Sequence, residues 1–89
     1  MSESAESLLV FPTEFPIKVM GSTSPGFAQA MLAIVLQHAP DFEPATMEMR
    51  PSREGRYLSL TFTINATSRE QLDRLYQSLC DSPMVKMVL

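Results

Sequence analysis

Apolar and polar residues alternate in four separate stretches of this 89-residue chain. In FPIKVMG, residues 15–21, Phe15, Ile17 and Val19 fall on one side and Lys18 and Met20 on the other, the period-two signature of a half-buried strand. ATMEMRPS at 45–52 sets Ala45, Met47 and Met49 against Thr46, Glu48 and Arg50. Its flanking Pro44 and Pro51 suit an edge strand, where a missing N–H is tolerated. RYLSLTFTINA is the clearest stretch: Leu58, Leu60, Phe62 and Ile64 face one way and Tyr57, Ser59, Thr61, Thr63 and Asn65 the other. MVKMVL at 84–89 sets Val85, Met87 and Leu89 inward and leaves Met84, Lys86 and Val88 on the opposite side.

Two further stretches repeat at helical spacing. After STSPGF, where Ser24 is placed to cap and Pro25 to take the first helical position, Phe27, Met31, Ile34, Val35 and His38 recur until Pro40 forbids continuation. NATSREQ, residues 65–71, then joins the third strand to a second helix. Both Thr67 with Glu70 and Ser68 with Gln71 have the spacing of a capping box, and Leu72, Leu75, Tyr76, Leu79 and Cys80 follow as a narrow apolar stripe.

Strand, helix, strand, strand, helix, strand is the split βαβ order. It predicts an α+β, ferredoxin-like βαββαβ sandwich: a four-stranded antiparallel sheet in the order 4-1-3-2, with both helices on one face. The predicted core is Phe15, Ile17, Val19, Met31, Ile34, Val35, Leu58, Leu60, Phe62, Ile64, Leu72, Leu75, Leu79, Val85 and Met87. This single domain occupies 10–89. Residues 1–9, with neither aromatics nor periodicity, are expected to form a disordered tail.

Charge narrows the possible partners. Glu3, Glu6 and Glu14 have no basic partner within residues 1–14, and the remaining chain balances seven acidic against seven basic residues, so the formal net charge of −3 resides in the first fourteen residues. Such a chain lacks the basic field that supplies nucleic-acid affinity, and the aromatic positions that stack RNA bases hold Lys18, Met20, Ser59, Thr61 and Thr63, with Tyr57 the one aromatic. A nucleic-acid partner is not expected. The acidic opening MSESAESLL is unlike a secretory leader, no run is long enough to span a membrane, and a lone Cys80 agrees with a reducing compartment, so cytoplasm is the expected location.

Candidate chemistry is sparse. His38 has no Ser, Cys or carboxylate at a catalytic spacing and reads as a helix-end residue; Cys80, on the stripe, reads as packing. The carboxylates have no metal-ligand spacing, and the Asn65–Thr67 glycosylation match competes with the cap. No catalytic residue, metal or cofactor is assigned. By alternation Met20, Met84 and Val88 share the open sheet face with Lys18 and Lys86, and RPSREGR gathers Arg50, Arg53 and Arg56 at a hairpin tip. Both are candidate surfaces for a protein partner or for a second copy of the chain. GSTSPG, residues Gly21, Ser22, Thr23, Ser24, Pro25 and Gly26, is a candidate ligand loop before a helix.

FPTEFPIKVMG, HAPDFEP, PSREGRYLSLTFTINATSREQLDRLYQSL and VKMVL together resemble the YbeD family of small bacterial proteins of uncharacterised function. The similarity runs over roughly residues 8–89 and rests on PSxxGxY, the TINAT junction and VxMVL in combination. It implies a fold similar to ACT domains, regulatory modules that often bind amino acids. VMGSTSPGF resembles the strand-loop-helix of such a domain at Pro25 and Gly26, with Ser22, Thr23 and Ser24 where an acidic residue is usual. Members of that family often lie near lipoate-attachment genes, so the resemblance also implies a partner linked to lipoate metabolism. The expected role is a regulatory or adaptor domain that binds a protein or a small metabolite; an RNA-binding module and a small enzyme of unfamiliar type are the alternatives.

Overall fold

β1 (Thr13–Ser22), α1 (Phe27–His38), β2 (Glu48–Pro51), β3 (Tyr57–Ala66), α2 (Arg69–Asp81) and β4 (Val85–Val88) follow one another in a computed structural model that describes residues 10–89. The tail expected at 1–9 lies outside the described residues. The sheet order is β2-β3-β1-β4, the predicted 4-1-3-2 read from the other edge, and every pairing is antiparallel.

β1 and β3 run side by side over ten paired positions, from Thr13↔Ala66 to Ser22↔Tyr57. Opposite residues share a face, so Ile17, Val19, Leu60, Phe62 and Ile64 form one apolar layer, on which Phe27, Met31 and Val35 of α1 and Leu72, Leu75 and Leu79 of α2 close. Each of these fully buried side chains contributes about 1.5–3 kcal/mol. Phe42, after α1, adds an edge-to-face contact with Phe62 at 5.5 Å between centroids. Phe42, Ala39, Ala66 and Phe27 are core residues absent from the predicted set, while Phe15, Ile34, Leu58 and Val85 border the core only partly buried.

Pro16 is tolerated inside β1 for a geometric reason. Lys18 exchanges both backbone hydrogen bonds with Leu89, so the even-numbered residues of β1 point their amides toward β4. β4 pairs along Lys18–Gly21, and at Pro16 that side has no strand among the described residues, so no ladder bond is lost.

Several expectations are corrected. Ser24 does not cap α1. The Pro25-Gly26 pair sets a type II turn instead, with Gly26 at φ 85°, the Phe27 N–H donating to the Ser24 carbonyl at 3.2 Å, and Gly26 itself at the N-cap. At α2 the structure selects the second of the two capping registers. Ser68 Oγ accepts the Gln71 amide at 3.1 Å, while Gln71 Oε1 reaches back to the Thr67 N–H at 2.7 Å, one residue before the cap. The second strand is shorter than 45–52, because Pro44–Thr46 winds into a single 3-10 turn and pairing begins only at Glu48. Cys80 is exposed rather than packed.

The largest correction concerns β4. Val19 pairs with Val88 and Met20 with Met87, but Gly21 pairs with Val85, so Lys86 is an extra residue at a bulge. Gly21 is where the chain permits this: a Cβ there would overlap the Met84 carbonyl and the Phe27 ring. Val85 and Val88 both face the helices, and Met84 also packs against the core. Met87 and Leu89 turn to the open face, 50% and 62% exposed. Met84 and Val88 therefore do not belong to the open-face patch, and Met87 does not belong to the core.

Candidate functional site

The sheet face opposite the helices is the most distinctive surface of the molecule, and its layout follows from register alone. One row across the sheet reads Glu48, Thr61, Lys18, Leu89; the next reads Arg50, Ser59, Met20, Met87. Below them Tyr57 pairs with Ser22, and above them Thr63 pairs with Pro16. Charged residues thus occupy the β2 edge, hydroxyls the β3 column, and Leu89 and Met87 the β4 edge. Tyr57, Met87 and Leu89 count among the exposed large hydrophobic side chains, and Met20 lies half-buried between them.

Two shallow depressions share this face. One, about 300 Å³, lies between Lys18, Met20, Arg50, Tyr57 and Leu89. The other, about 520 Å³, lies over Lys18, Glu48, Arg50, Ser59 and Thr61. Among the described residues neither Lys18, Arg50 nor Glu48 forms an ion pair, so two cations and one carboxylate stand open to solvent beside an apolar strip. Arg50 was expected at the hairpin tip with Arg53 and Arg56; its position in β2 puts it on this face instead, while Arg53 and Arg56 remain at the turn. There Arg56 Nε approaches Glu54 Oε1 at 3.8 Å, an exposed pair of little energetic weight. Lys86 is exposed at the bulge, away from the two rows.

The candidate ligand loop is tied down. Gly21 is buried at the end of β1, the Thr23 amide donates to the Arg56 carbonyl at 2.8 Å, and Ser24–Phe27 closes the turn already described. On the helical side, Phe15, Leu72, Tyr76 and Cys80 line a depression of about 550 Å³ that also carries the Arg69–Asp73 contact at 3.8 Å. Partial burial pushes the Tyr76 phenol above its ordinary range, and the neighbouring Cys80 pushes the same way. His38 Nε2 lies 2.9 Å from Ser78 Oγ, linking the two helices, and the His38 carbonyl accepts from Gln71 Nε2 at 2.9 Å. Among the described residues no group of three His, Cys, Asp or Glu side chains converges on a metal-sized site, and no helix is long and apolar enough to cross a membrane.

Comparison with known proteins places this geometry in a lineage. Residues 6–89 match the family described as "Protein of unknown function (DUF493)". The chain belongs to this family. A UPF0250 protein of Bordetella pertussis is 60% identical over 84 residues, 94% of this chain and 92% of its own length. Another, from Nitrosomonas europaea, is also 60% identical, over 94% of this chain and 97% of its own. A solution structure of a protein from H. pylori matches with a TM-score of 0.76 at 13% identity, covering 100% of this chain and 93% of that one. The ACT domain of a GTP pyrophosphokinase from Chlorobium tepidum matches at 0.59 and 16% identity, covering 86% and 97%. At such identities the two structures speak for the fold alone, and the fold of this DUF493 member is ACT-like. The segments PSxxGxY, TINAT and VxMVL thus pointed to a small bacterial family with an ACT-like fold.

The site residues that sequence reasoning missed are Met87, Leu89, Glu48 and Tyr57. The alternation of MVKMVL points the wrong way for Met87 and Leu89, because Lys86 marks the Met84, Lys86, Val88 set as outward, and only the bulge opposite Gly21 turns Met87 and Leu89 to the open face.

Proposed function

We propose that this UPF0250 protein is a non-catalytic regulatory or adaptor domain that works by contact, with the open sheet face as its contact surface. The observation that supports this reading is the apolar strip of Met20, Met87, Leu89 and Tyr57 set beside unpaired Lys18 and Arg50. Exposed methionines adapt to a partner's contour, and flanking cations add steering and register. A face this shallow suits a protein better than a small molecule, which needs concave walls to bury most of its surface. The hairpin tip, with Arg53 and Arg56, offers a second and purely electrostatic contact for an acidic partner. A cytoplasmic partner concerned with lipoate attachment is the specific form of the proposal that the family resemblance suggests.

ACT-like architecture motivates a second reading, in which a small metabolite is the ligand. One experiment separates the two. Wild-type protein and a Met20→Glu, Met87→Glu variant are immobilised and exposed to native lysate, and both are screened by thermal shift with amino acids and lipoate. The contact reading predicts a reproducible partner that the variant loses. A small molecule that binds only the folded state should stabilise it by about 2.7 kcal/mol at 100 times its Kd, and such a shift without partner capture would favour the metabolite reading. A variant that keeps every wild-type partner would refute the assignment of the face.

A further inference from the structure

We infer that the open sheet face pairs with the same face of a second copy, across a two-fold axis that lies perpendicular to the strands and runs between the two central rows. The inference rests on the reading of this face as a contact surface and names its occupant.

Two sheets stacked face to face and related by a two-fold axis can be arranged in two simple ways. If the axis runs along the strands, each row meets itself reversed. Glu48 then faces the partner's Leu89, and Arg50 faces the partner's Met87, so the two β2 charges of each protomer are set against apolar side chains without a counter-charge. That arrangement carries a desolvation cost with nothing to offset it. If the axis runs across the strands, β2 lies over the partner's β2 and the two rows exchange. Glu48 then faces the partner's Arg50 and Arg50 the partner's Glu48. Leu89 faces the partner's Met87 and Met87 the partner's Leu89, while Thr61 and Ser59 meet as hydroxyls. Lys18 lies over the partner's Met20, where its alkyl stem can pack and its ammonium can reach the rim. Tyr57 covers the partner's Thr63. No like charges oppose each other anywhere in the two rows.

The match is reciprocal, residue i meeting j and j meeting i, which is what a closed two-fold contact requires of a single surface. It also explains why Glu48 stands on this face without an ion pair in its own chain, two residues from Arg50 on the same strand. With strands about 4.8 Å apart and same-face neighbours about 6.7 Å apart along each strand, the overlapping rows cover roughly 390 Å² on each protomer, on the order of 800 Å² in total, the size of a weak, transient contact. Association is therefore expected to be reversible and visible at high protein concentration.

Charge exchange tests the axis directly. Sedimentation equilibrium of the full chain should show a wild-type dimer that both Glu48→Arg and Arg50→Glu weaken at least tenfold, since each places like charges opposite one another. Mixing the two single variants should restore the dimer as a heterodimer, because Arg at 48 then meets Glu at 50, and the double exchange in one chain should restore the homodimer. Recovery on mixing also shows that the single variants are folded. A wild type that stays monomeric at several hundred micromolar overturns the inference. A dimer that both single variants keep, or a mixture no tighter than its components, overturns it equally. The contact reading itself is judged separately by the lysate comparison above, so a monomer that loses a foreign partner on Met20→Glu, Met87→Glu substitution refutes the dimer and spares the face.

Discussion

Gln71 is the side chain through which the two helices are tied at their adjoining ends, and removing it should cost more than an ordinary surface substitution. Its Oε1 accepts the Thr67 amide at 2.7 Å and the Thr67 hydroxyl at 3.2 Å, while its Nε2 donates to the His38 carbonyl at 2.9 Å, at the last residue of α1. The two bonds from Thr67 are exposed and replaceable by water, so together they contribute about 0.5–1 kcal/mol. The His38 bond is partly buried, and a carbonyl left without its donor there costs about 1 kcal/mol. Alanine returns about 0.3 kcal/mol through its higher helix propensity. Gln71→Ala should therefore destabilise by about 1–2 kcal/mol. With no tryptophan in the chain, urea unfolding is best followed by far-ultraviolet circular dichroism. A slope near 1 kcal/mol per molar urea, typical of small domains, puts the midpoint about 1–2 M lower. Gln71→Glu is the discriminating control. It keeps an acceptor for Thr67 and places a carboxylate in the first turn of α2, worth about 0.3–1 kcal/mol in its favour, yet it sets that carboxylate against the His38 carbonyl. If the inter-helix bond matters, Gln71→Glu is less stable than wild type. A Gln71→Glu variant as stable as wild type, or a Gln71→Ala variant with an unchanged midpoint, would show that the reasoning about this link is mistaken.

Ser68→Ala should cost about 1 kcal/mol because Ser68 Oγ holds the Gln71 amide, whereas Thr67→Ala should cost a few tenths, a contrast the same urea titrations would read. Gly21→Ala should destabilise by about 1–3 kcal/mol, since its methyl meets the Met84 carbonyl and the Phe27 ring; a neutral result would refute the account of the β4 bulge. The Cys80 thiol should react with a disulfide reagent in the folded protein at a rate close to that of the denatured chain, and strong protection would contradict its exposure. Tyr76 binds its proton more tightly folded than unfolded, mainly through partial burial and then through Cys80, so its contribution to stability is constant below about pH 10 and is lost as pH rises beyond that. Tyr76→Phe should lessen the alkaline loss of stability measured by thermal melts above pH 9.5, and an identical alkaline profile would count against it.

What the sequence determines by itself is local and periodic. Leu58, Leu60, Phe62 and Ile64 can bury together only in an extended strand, and Leu72, Leu75 and Leu79 only in a helix. The order of such elements, with short connections and prolines beside β2, leaves the split βαβ arrangement as the natural way to bury every apolar face. The spacing at α2 narrows the cap to two registers, of which Ser68 with Gln71 is the one formed. What only the tertiary structure decides is long-range. Alternation in β4 points the wrong way, because Lys86 marks Met84 and Val88 as outward; the one-residue bulge that turns Val88 inward and Met87 and Leu89 outward is set where Gly21 and Phe27 pack against Met84, far away in sequence. Phe42 lies in a connection with no periodicity to read and is buried because Phe62 leaves room for its ring. The candidate site is of the same kind. Glu48, Arg50, Lys18 and Leu89 become neighbours only through pairing across four strands, and no spacing along the chain records that they share two rows of one face.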